Sequence, residues 1–193
     1  MAIKYSGIEC ELREVILKHK PEAMVRASPK GTVPVLILGE YVIDESIDVM
    51  RWALQNNNPD DWAISELEHL LVQRNDEYFK AYLDRYKYFE RYPQASQRAY
   101  FEKALVFLDE LESSMVCSSS GEYYLLDSKL SSVDLAIFPF VRQFAFVDKD
   151  AFDSLQLVKL QNWLELMLNA DLFLSIMPKL PAWSPGDNQK HYV

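Results

Sequence analysis

The sequence predicts an α/β N-terminal part that ends near residue 55 and an all-α part that begins near residue 62. A strand–turn–strand–helix pattern occupies residues 28–56. Beyond residue 62 the apolar residues recur at helical spacing, without the alternation typical of strands. The polar run NNNPDD at 56–61 separates the two patterns and is typical of a break between domains. We therefore expect one domain at residues 1–55 and a second, all-α domain at residues 62–193.

The stretch SPKGTVPVLILGEYVIDES, residues 28–46, organises the first part. Pro29-Lys30-Gly31 is typical of a turn, and the apolar run 33–38 predicts a buried strand. Gly39-Glu40 connects it to a returning strand at 41–43, which makes a β-hairpin. A helix follows, and its first turn carries Asp44, Glu45 and Ser46.

Two features of this stretch favour a binding site. Proline lacks an N–H group, so Pro34 suits the first residues of a strand or its edge. A cis Val33–Pro34 bond would turn the backbone of Val33 outward, and its N–H and C=O would be free to pair with an extended peptide. At Glu45-Ser46 the unpaired N–H groups of a helix start favour an anion. A simpler interpretation stays open: Asp44 or Ser46 caps the helix, and Pro34 marks a strand edge.

Taken together, SPKGTVPVL, VIDES and the helical stretch that follows resemble the glutathione S-transferase family, bacterial type. The resemblance implies a thioredoxin-like domain followed by a helical bundle. It also implies that Val33, before a cis Pro34, pairs with the cysteinyl part of glutathione. Glu45 and Ser46 would hold the γ-glutamyl end, and Lys30 would lie near the glycine carboxylate. Glutathione would be the co-substrate, a small electrophile the second substrate, and a homodimer the expected assembly.

The first residues depart from the family pattern. MAIKYS followed by Gly7 reads as the last turns of a helix. In the family, the activating Tyr, Ser or Cys lies between an earlier strand and the start of this helix. The resemblance therefore implies a truncated thioredoxin-like domain without its first strand and the start of its first helix. Tyr5 and Ser6 lie at the wrong end of the helix, and Cys10 is better explained as a packed side chain, so we assign no catalytic residue.

The truncation poses a question about the sheet. In the family fold the absent strand lies between the strand predicted at 9–15 and the strand at 33–38. Three outcomes would give the unpaired backbone groups of the strand edges hydrogen-bond partners. The 9–15 strand pairs with the hairpin, another subunit supplies a strand, or the segment stays outside the sheet and is partly solvated. We expect self-association, because exposed strand edges recruit partners.

Composition narrows the classes of function. The 193 residues carry a net charge of −9, which argues against nucleic acid or an anionic membrane surface as the main partner. No apolar run reaches transmembrane length, and no signal-peptide pattern is present at Met1. Cys10 and Cys117 show neither CxxC nor metal-ligand spacing, so we expect no metal and a reducing, cytoplasmic setting.

In the second part, the helical spacing of the apolar residues predicts a long helix to about residue 90 and another at 101–115. A serine-rich loop follows at 117–121. Ser131 and Asp134 form a capping box that opens a nearly all-apolar helix, which we expect at the centre of the helical domain. A further helix spans 155–168, and beyond Pro178 an extended tail would be pinned by Trp183.

Three functions stay open. The first is a glutathione transferase whose natural start lies upstream of Met1 and which conjugates or reduces small electrophiles. The second is a protein of this fold that binds or regulates without catalysis. The third is a helical domain with a vestigial α/β cap that binds no glutathione.

Overall fold

The structure is a computed structural model that describes residues 1–62, 65–187 and 191–192. The chain divides into two compact units. The first comprises the described residues of Met1–Trp62 and Asp171–Val193, and the second those of Ala63–Ala170. The C-terminal tail thus belongs with the N-terminal residues, while the domain boundaries at 55 and 62 stay a prediction.

Ten α-helices and six short strands follow one another along the described residues. The helices are α1 (Ala2–Tyr5), α2 (Glu22–Ala27), α3 (Ser46–Asn56), α4 (Glu66–Arg74), α5 (Lys80–Lys87), α6 (Gln97–Ser114), α7 (Ser132–Ala145), α8 (Lys149–Asp153), α9 (Val158–Asn169) and α10 (Asp171–Ile176). A π-helical segment, Asn75–Phe79, joins α4 to α5, and a 3₁₀ turn, Phe89–Arg91, follows α5. The strands are β1 (Glu11–Leu12), β2 (Leu36–Leu38), β3 (Tyr41–Ile43), β4 (Met115–Cys117), β5 (Tyr123–Leu125) and β6 (His191–Tyr192).

The central hairpin forms where the sequence predicts it. Strands β2 and β3 pair antiparallel, with Leu36 opposite Ile43 and Leu38 opposite Tyr41. Gly39 takes a positive φ of 64° in the connecting turn, a conformation that glycine adopts without strain. The strand predicted from residue 33 begins only at Leu36, and the Val33–Pro34 bond before it is cis, as expected. After β3, helix α3 packs one face into the core through Val49, Met50, Ala53 and Leu54.

Strand β1 is shorter than predicted and has an unexpected partner. Only Glu11–Leu12 is extended in the ladder, and these residues pair with β6 rather than with the hairpin. Of the three outcomes considered for this strand, pairing with the hairpin does not occur among the described residues. The tail is also held at Trp183, as predicted: its N–H donates to the carbonyl of Glu14 at 2.8 Å, and the Arg13 guanidinium lies 4.6 Å from its ring centroid.

The second unit is mostly helical and is organised around aromatic side chains. Phe79 lies 5.0 Å from Phe107 and 5.7 Å from Phe144 between ring centroids, and all three are almost completely buried. Helix α7 buries nine of its residues, so its predicted place at the centre of this unit is confirmed. Burial of several phenylalanines, each of which removes a large apolar area from water, stabilises this unit.

One part of the all-α expectation is wrong, although the mostly helical fold class is confirmed. Strands β4 and β5 form an antiparallel hairpin within the second unit, with Met115 opposite Leu125 and Cys117 opposite Tyr123. The serine-rich loop connects them, and the Ser118 N–H donates to the carbonyl of Glu122 at 2.7 Å. Three-residue strands are too short to show the alternation that distinguishes a strand in sequence.

The predicted cap of α7 is present and has a wider role. Ser131 is the N-cap residue, and its N–H donates to the Asp134 carboxylate at 2.9 Å, as expected. The same buried carboxylate accepts the N–H of Leu125 at 2.9 Å and the indole N–H of Trp163 at 2.8 Å. One side chain therefore links α7 to β5 and to α9.

Candidate functional site

The turn after α2 presents a lysine beside the hairpin. Ser28 is completely buried, and its carbonyl accepts the Gly31 N–H at 3.0 Å, which closes the turn through Pro29 and Lys30. Gly31 has a positive φ of 62°, and an added Cβ would lie 3.1 Å from the ammonium of Lys20. The positive φ favours glycine here, whereas the flexible Lys20 side chain could move aside for a Cβ, and the turn leaves the Lys30 side chain 52% exposed.

Two carboxylates at the end of β3 hold this lysine. The Lys30 ammonium donates to Asp44 Oδ1 at 2.9 Å and to Glu45 Oε1 at 2.8 Å. The Ser28 hydroxyl donates to the other Asp44 oxygen at 2.7 Å. The chain thus brings together a turn lysine, a buried serine and two acidic residues that lie about fifteen positions later; we call Ser28, Lys30, Asp44, Glu45 and Ser46 the hairpin cluster.

The charges of the cluster reinforce one another. The hydrogen bond to Glu45, followed by that to Asp44, raises the pKa of Lys30 above its usual range. The hydrogen bond from Lys30, followed by that from Ser28, lowers the pKa of Asp44. At neutral pH the lysine is a cation and the aspartate an anion, so a bound ligand meets fixed charges of both signs.

The start of α3 is open to an anion. Glu45 is the N-cap residue, and its side chain makes no cap hydrogen bond. Its carbonyl accepts the N–H groups of Asp48 at 3.1 Å and Val49 at 3.0 Å. Among the described residues the N–H groups of Ser46 and Ile47 have no partner, and the Ser46 side chain is exposed. The alternative that Asp44 or Ser46 merely caps this helix is therefore wrong.

Val33 and Pro34 lie just before β2, and both are exposed, Val33 by 49%. Neither the N–H nor the C=O of Val33 has a hydrogen-bond partner within the part of the chain that the structure describes. No hydrogen bond or ion pair joins Val33 or Pro34 to the hairpin cluster among the same residues. The backbone of Val33 offers one donor and one acceptor to an extended ligand.

The structure thus unites Lys30 with Glu45 and places Ser46 directly after them. Sequence reasoning missed Ser28 as a member of this cluster and did not include Asp44 in the site. Asp44 could have been identified from the sequence, because it lies immediately before Glu45. Nothing in the sequence indicates that the Ser28 hydroxyl reaches Asp44, because the turn geometry sets that distance.

Tyr5 is the phenol of α1, and its hydroxyl is already engaged. It donates to Asp60 Oδ2 at 2.9 Å and accepts the Asp60 N–H at 3.0 Å. Its ring stacks on Trp62 with centroids 3.9 Å apart. Burial, followed by the hydrogen bond to Asp60, raises the pKa of Tyr5 to about 12. A phenol held in this way has no proton to share with a neighbouring thiolate.

The described residues contain no cluster of three His, Cys, Asp or Glu side chains that could hold a metal ion. Cys10 and Cys117 are both free thiols. Burial raises the pKa of the Cys10 thiol, which disfavours its thiolate. A search of the described helices finds none that is both long and apolar enough to cross a membrane.

Comparison with known proteins finds a family match for the N-terminal residues. Residues 1–61 match the family model "Glutathione S-transferase, N-terminal domain". None of the curated proteins compared with the chain matches it. Among solved structures, the chain is similar to BphK, a bacterial glutathione S-transferase, with a TM-score of 0.71 at 17% identity over 90% of this chain and 88% of BphK.

Two further similar structures hold glutathione derivatives. One is glutathione S-transferase I bound with lactoylglutathione, with a TM-score of 0.67 at 17% identity over 90% of this chain and 88% of that one. The other is the glutathione transferase URE2P8 from Phanerochaete chrysosporium with oxidized glutathione, with a TM-score of 0.62 at 18% identity over 81% and 75%. Residues 1–61 therefore match the N-terminal domain of the glutathione S-transferase family, and the chain shares the fold of the transferases it is similar to, with a mostly helical remainder.

Proposed function

We propose that this chain binds glutathione at the hairpin cluster and at the backbone of Val33. The observation that supports the proposal most directly is the uncapped start of α3, where two N–H groups and the exposed Ser46 hydroxyl lie beside the Glu45 carboxylate. An α-amino acid end carries one carboxylate and one ammonium group, and this site offers a partner for each.

The γ-glutamyl end of glutathione fits this pair of charges. Its carboxylate would accept from the N–H and hydroxyl of Ser46, where the helix dipole also favours a negative charge. Its ammonium would donate to Glu45. Because Lys30 holds Glu45 in the free protein, the ligand's ammonium must share or displace the lysine. Lys30 would then be available to the glycine carboxylate.

The middle of the tripeptide fits the backbone before β2. The unpaired N–H and C=O of Val33 can exchange two hydrogen bonds with the cysteinyl residue, as one strand does with another. Support also comes from similar structures: glutathione S-transferase I is bound with lactoylglutathione, and URE2P8 with oxidized glutathione.

The reaction proposed for such a site is the conjugation or reduction of small electrophiles with glutathione. A second candidate is a binding or regulatory protein of the same fold without catalysis. The observation that favours this second candidate is the closed hydrogen-bond pair of Tyr5 with Asp60, which leaves that phenol unable to activate a thiol. We place either activity in a reducing cytoplasm, because both cysteines are free.

Titration calorimetry of glutathione into the purified protein tests the binding proposal. Ser46→Ala and Glu45→Gln should each weaken binding by about 1.5–3 kcal/mol, because each removes one charge-assisted hydrogen bond. Glu40→Gln is the matched control: it removes one exposed carboxylate from the hairpin turn, outside the cluster. If both site variants bind glutathione with the affinity of the parent, the binding site lies elsewhere.

We also propose a homodimer, in keeping with the resemblance to the family. Its support is the exposed apolar side chains of the hairpin: Tyr41, the cross-strand partner of Leu38, is 79% exposed on one face, and the paired Ile37 and Val42 are exposed on the other. In the second unit, a mostly apolar cavity of about 630 Å³ lies beside the exposed Leu70. Patches of this kind on a folded protein commonly mark interaction sites.

Sedimentation velocity across dilutions tests the dimer. Tyr41→Glu should shift the equilibrium toward monomer, because a charge in an apolar contact must be desolvated. Val158→Glu is the control, since Val158 is also exposed but begins α9 in the other unit. A parent protein that stays monomeric at every accessible concentration would contradict the proposal.

A further inference from the structure

A cationic and aromatic surface lies at the end of α5 and in the turn that follows it. Residues 85–98 contain four cations, Arg85, Lys87, Arg91 and Arg98, and one carboxylate, Glu90, in a protein whose net charge is −9. Tyr88 and Arg91 are exposed, and Tyr82, Arg85, Lys87 and Tyr92 are half-buried. We call these last six residues the α5 patch.

The cations of the α5 patch lie against aromatic rings instead of carboxylates. Arg85 lies 5.4 Å from the Tyr82 ring centroid and 5.9 Å from that of Tyr92. The Tyr88 ring lies 4.5 Å from the Arg91 guanidinium and 5.0 Å from the Lys87 ammonium. Among the described residues none of these three cations is in an ion pair.

This packing leaves the patch ready to bind carboxylates. A guanidinium that lies over a ring keeps its N–H edge available for the two parallel hydrogen bonds that a carboxylate accepts. The nearby carboxylate Asp84 accepts the Tyr92 hydroxyl at 2.5 Å, and among the described residues it forms no ion pair with the three cations. The tyrosine rings add apolar area between the cations, so the surface matches a ligand that alternates acidic and apolar side chains.

We propose that the α5 patch binds a short acidic segment of a partner protein. Three cations within seven residues, 85–91, suit a few carboxylates. A long polyanion would extend beyond the patch over a protein with a net charge of −9, and it would be repelled there. A short peptide is therefore favoured over nucleic acid or an anionic membrane.

The test uses a biotinylated dodecapeptide of three Gly-Glu-Glu-Phe repeats, and a control peptide in which Gln replaces each Glu. Biolayer interferometry in about 50 mM salt keeps exposed charges weakly screened. The double variant Arg85→Gln, Arg91→Gln should bind the acidic peptide about tenfold more weakly than the parent. The control double variant Lys129→Gln, Lys179→Gln removes the same charge at two exposed positions outside the patch and should bind like the parent.

Thermal unfolding of both double variants checks that the fold is intact, and α5 should survive because glutamine is a good helix former. Binding that falls equally in both double variants would show a nonspecific charge effect and overturn the proposal. It would also be overturned if the glutamine peptide bound as well as the acidic one. Failure of the parent to bind the acidic peptide, or tighter binding of a twelve-nucleotide single strand or of phosphatidylserine vesicles, would overturn it too.

Discussion

At the scale of single residues, Asp134 makes more connections than any role as a helix cap requires. Its two carboxylate oxygens accept the N–H of Leu125, the indole N–H of Trp163, and both the N–H and the hydroxyl of Ser131. All four partners are donors, so an amide at this position would place its NH₂ group against another donor. Asp134→Asn should therefore destabilise the second unit, by about 1–3 kcal/mol for one unsatisfied buried donor.

The stability that Asp134 provides should depend on pH. Burial raises the pKa of Asp134 to about 6, although its four donors oppose that shift. A pKa raised above the unfolded value of about 3.9 gives a contribution that is complete below about pH 4 and is lost as pH rises through about 6. The advantage of the parent over Asp134→Asn in free energy of unfolding, about 1–3 kcal/mol near pH 4, should therefore become smaller toward pH 7.

Urea denaturation of the parent and Asp134→Asn across this pH range measures the difference. Asp127→Asn, at an exposed aspartate in the loop before α7, serves as the control. An advantage that grows toward pH 7 would show that the four donors outweigh burial in setting the pKa.

The candidate site illustrates what a sequence can predict at this scale. Lys30, Glu45 and Ser46 were predicted, and the first two are in contact because the turn and the hairpin return the chain to the same place. Ser28 was missed because its role rests on a 2.7 Å hydrogen bond across sixteen residues. A pattern of residue types predicts turns and helix starts, but it does not give the distance between two side chains that a turn brings together.

At the scale of elements, regularity decides how well the sequence predicts the structure. Helix α7 is recognisable from its cap and its apolar residues, and it was predicted correctly. Strands β1, β4, β5 and β6 have two or three residues each, which is too few for a period of two to stand out. The partner of β1 could not be predicted, because β6 lies about 180 residues away in the chain.

The tail that carries β6 is anchored by one aromatic side chain. Trp183 contributes its ring to the Arg13 guanidinium and its N–H to the Glu14 carbonyl. Trp183→Ala keeps the backbone donor but removes the cation–π contact, which contributes about 0.5–1 kcal/mol at an exposed site. Amide hydrogen exchange in the segment around residue 183 should therefore become about threefold faster.

Amide hydrogen exchange, measured by mass spectrometry on peptides from residues 9–16 and 178–187, would report how often the tail detaches from the Arg13–Glu14 segment. Met177→Ala provides a control, since Met177 is exposed and precedes the anchored segment. Unchanged exchange in Trp183→Ala would show that the backbone hydrogen bond alone holds the tail.

At the scale of the whole molecule, binding glutathione and activating its thiol are separate tasks for the fold. Residues 1–61 match the glutathione S-transferase N-terminal domain, and they hold the charges suited to an amino acid end. A free thiol has a pKa near 8.5, so a catalyst working at neutral pH must stabilise its thiolate. Binding and catalysis therefore make separate demands on the same fold.

We expect this chain to bind glutathione but to conjugate it slowly with chlorodinitrobenzene. Tyr5 cannot donate to the thiolate while its hydroxyl is bonded to Asp60, and burial with this bond keeps its pKa near 12. Conjugation should therefore exceed the uncatalysed rate only slightly, and Tyr5→Phe should leave that rate unchanged. Absorbance assays on protein of verified mass measure it, with glutathione binding monitored in parallel by calorimetry.

The two measurements separate the possible outcomes. Rapid turnover that survives in Tyr5→Phe would show that another group activates the thiol, and rapid turnover lost in Tyr5→Phe would show that the bond to Asp60 opens when substrate binds. The Tyr5→Phe variant keeps the ring that stacks on Trp62 and loses only the hydroxyl. A fall in turnover without a fall in glutathione affinity would therefore assign the hydroxyl a role in the chemical step, because the proposed binding groups of Lys30, Glu45 and Ser46 are unchanged.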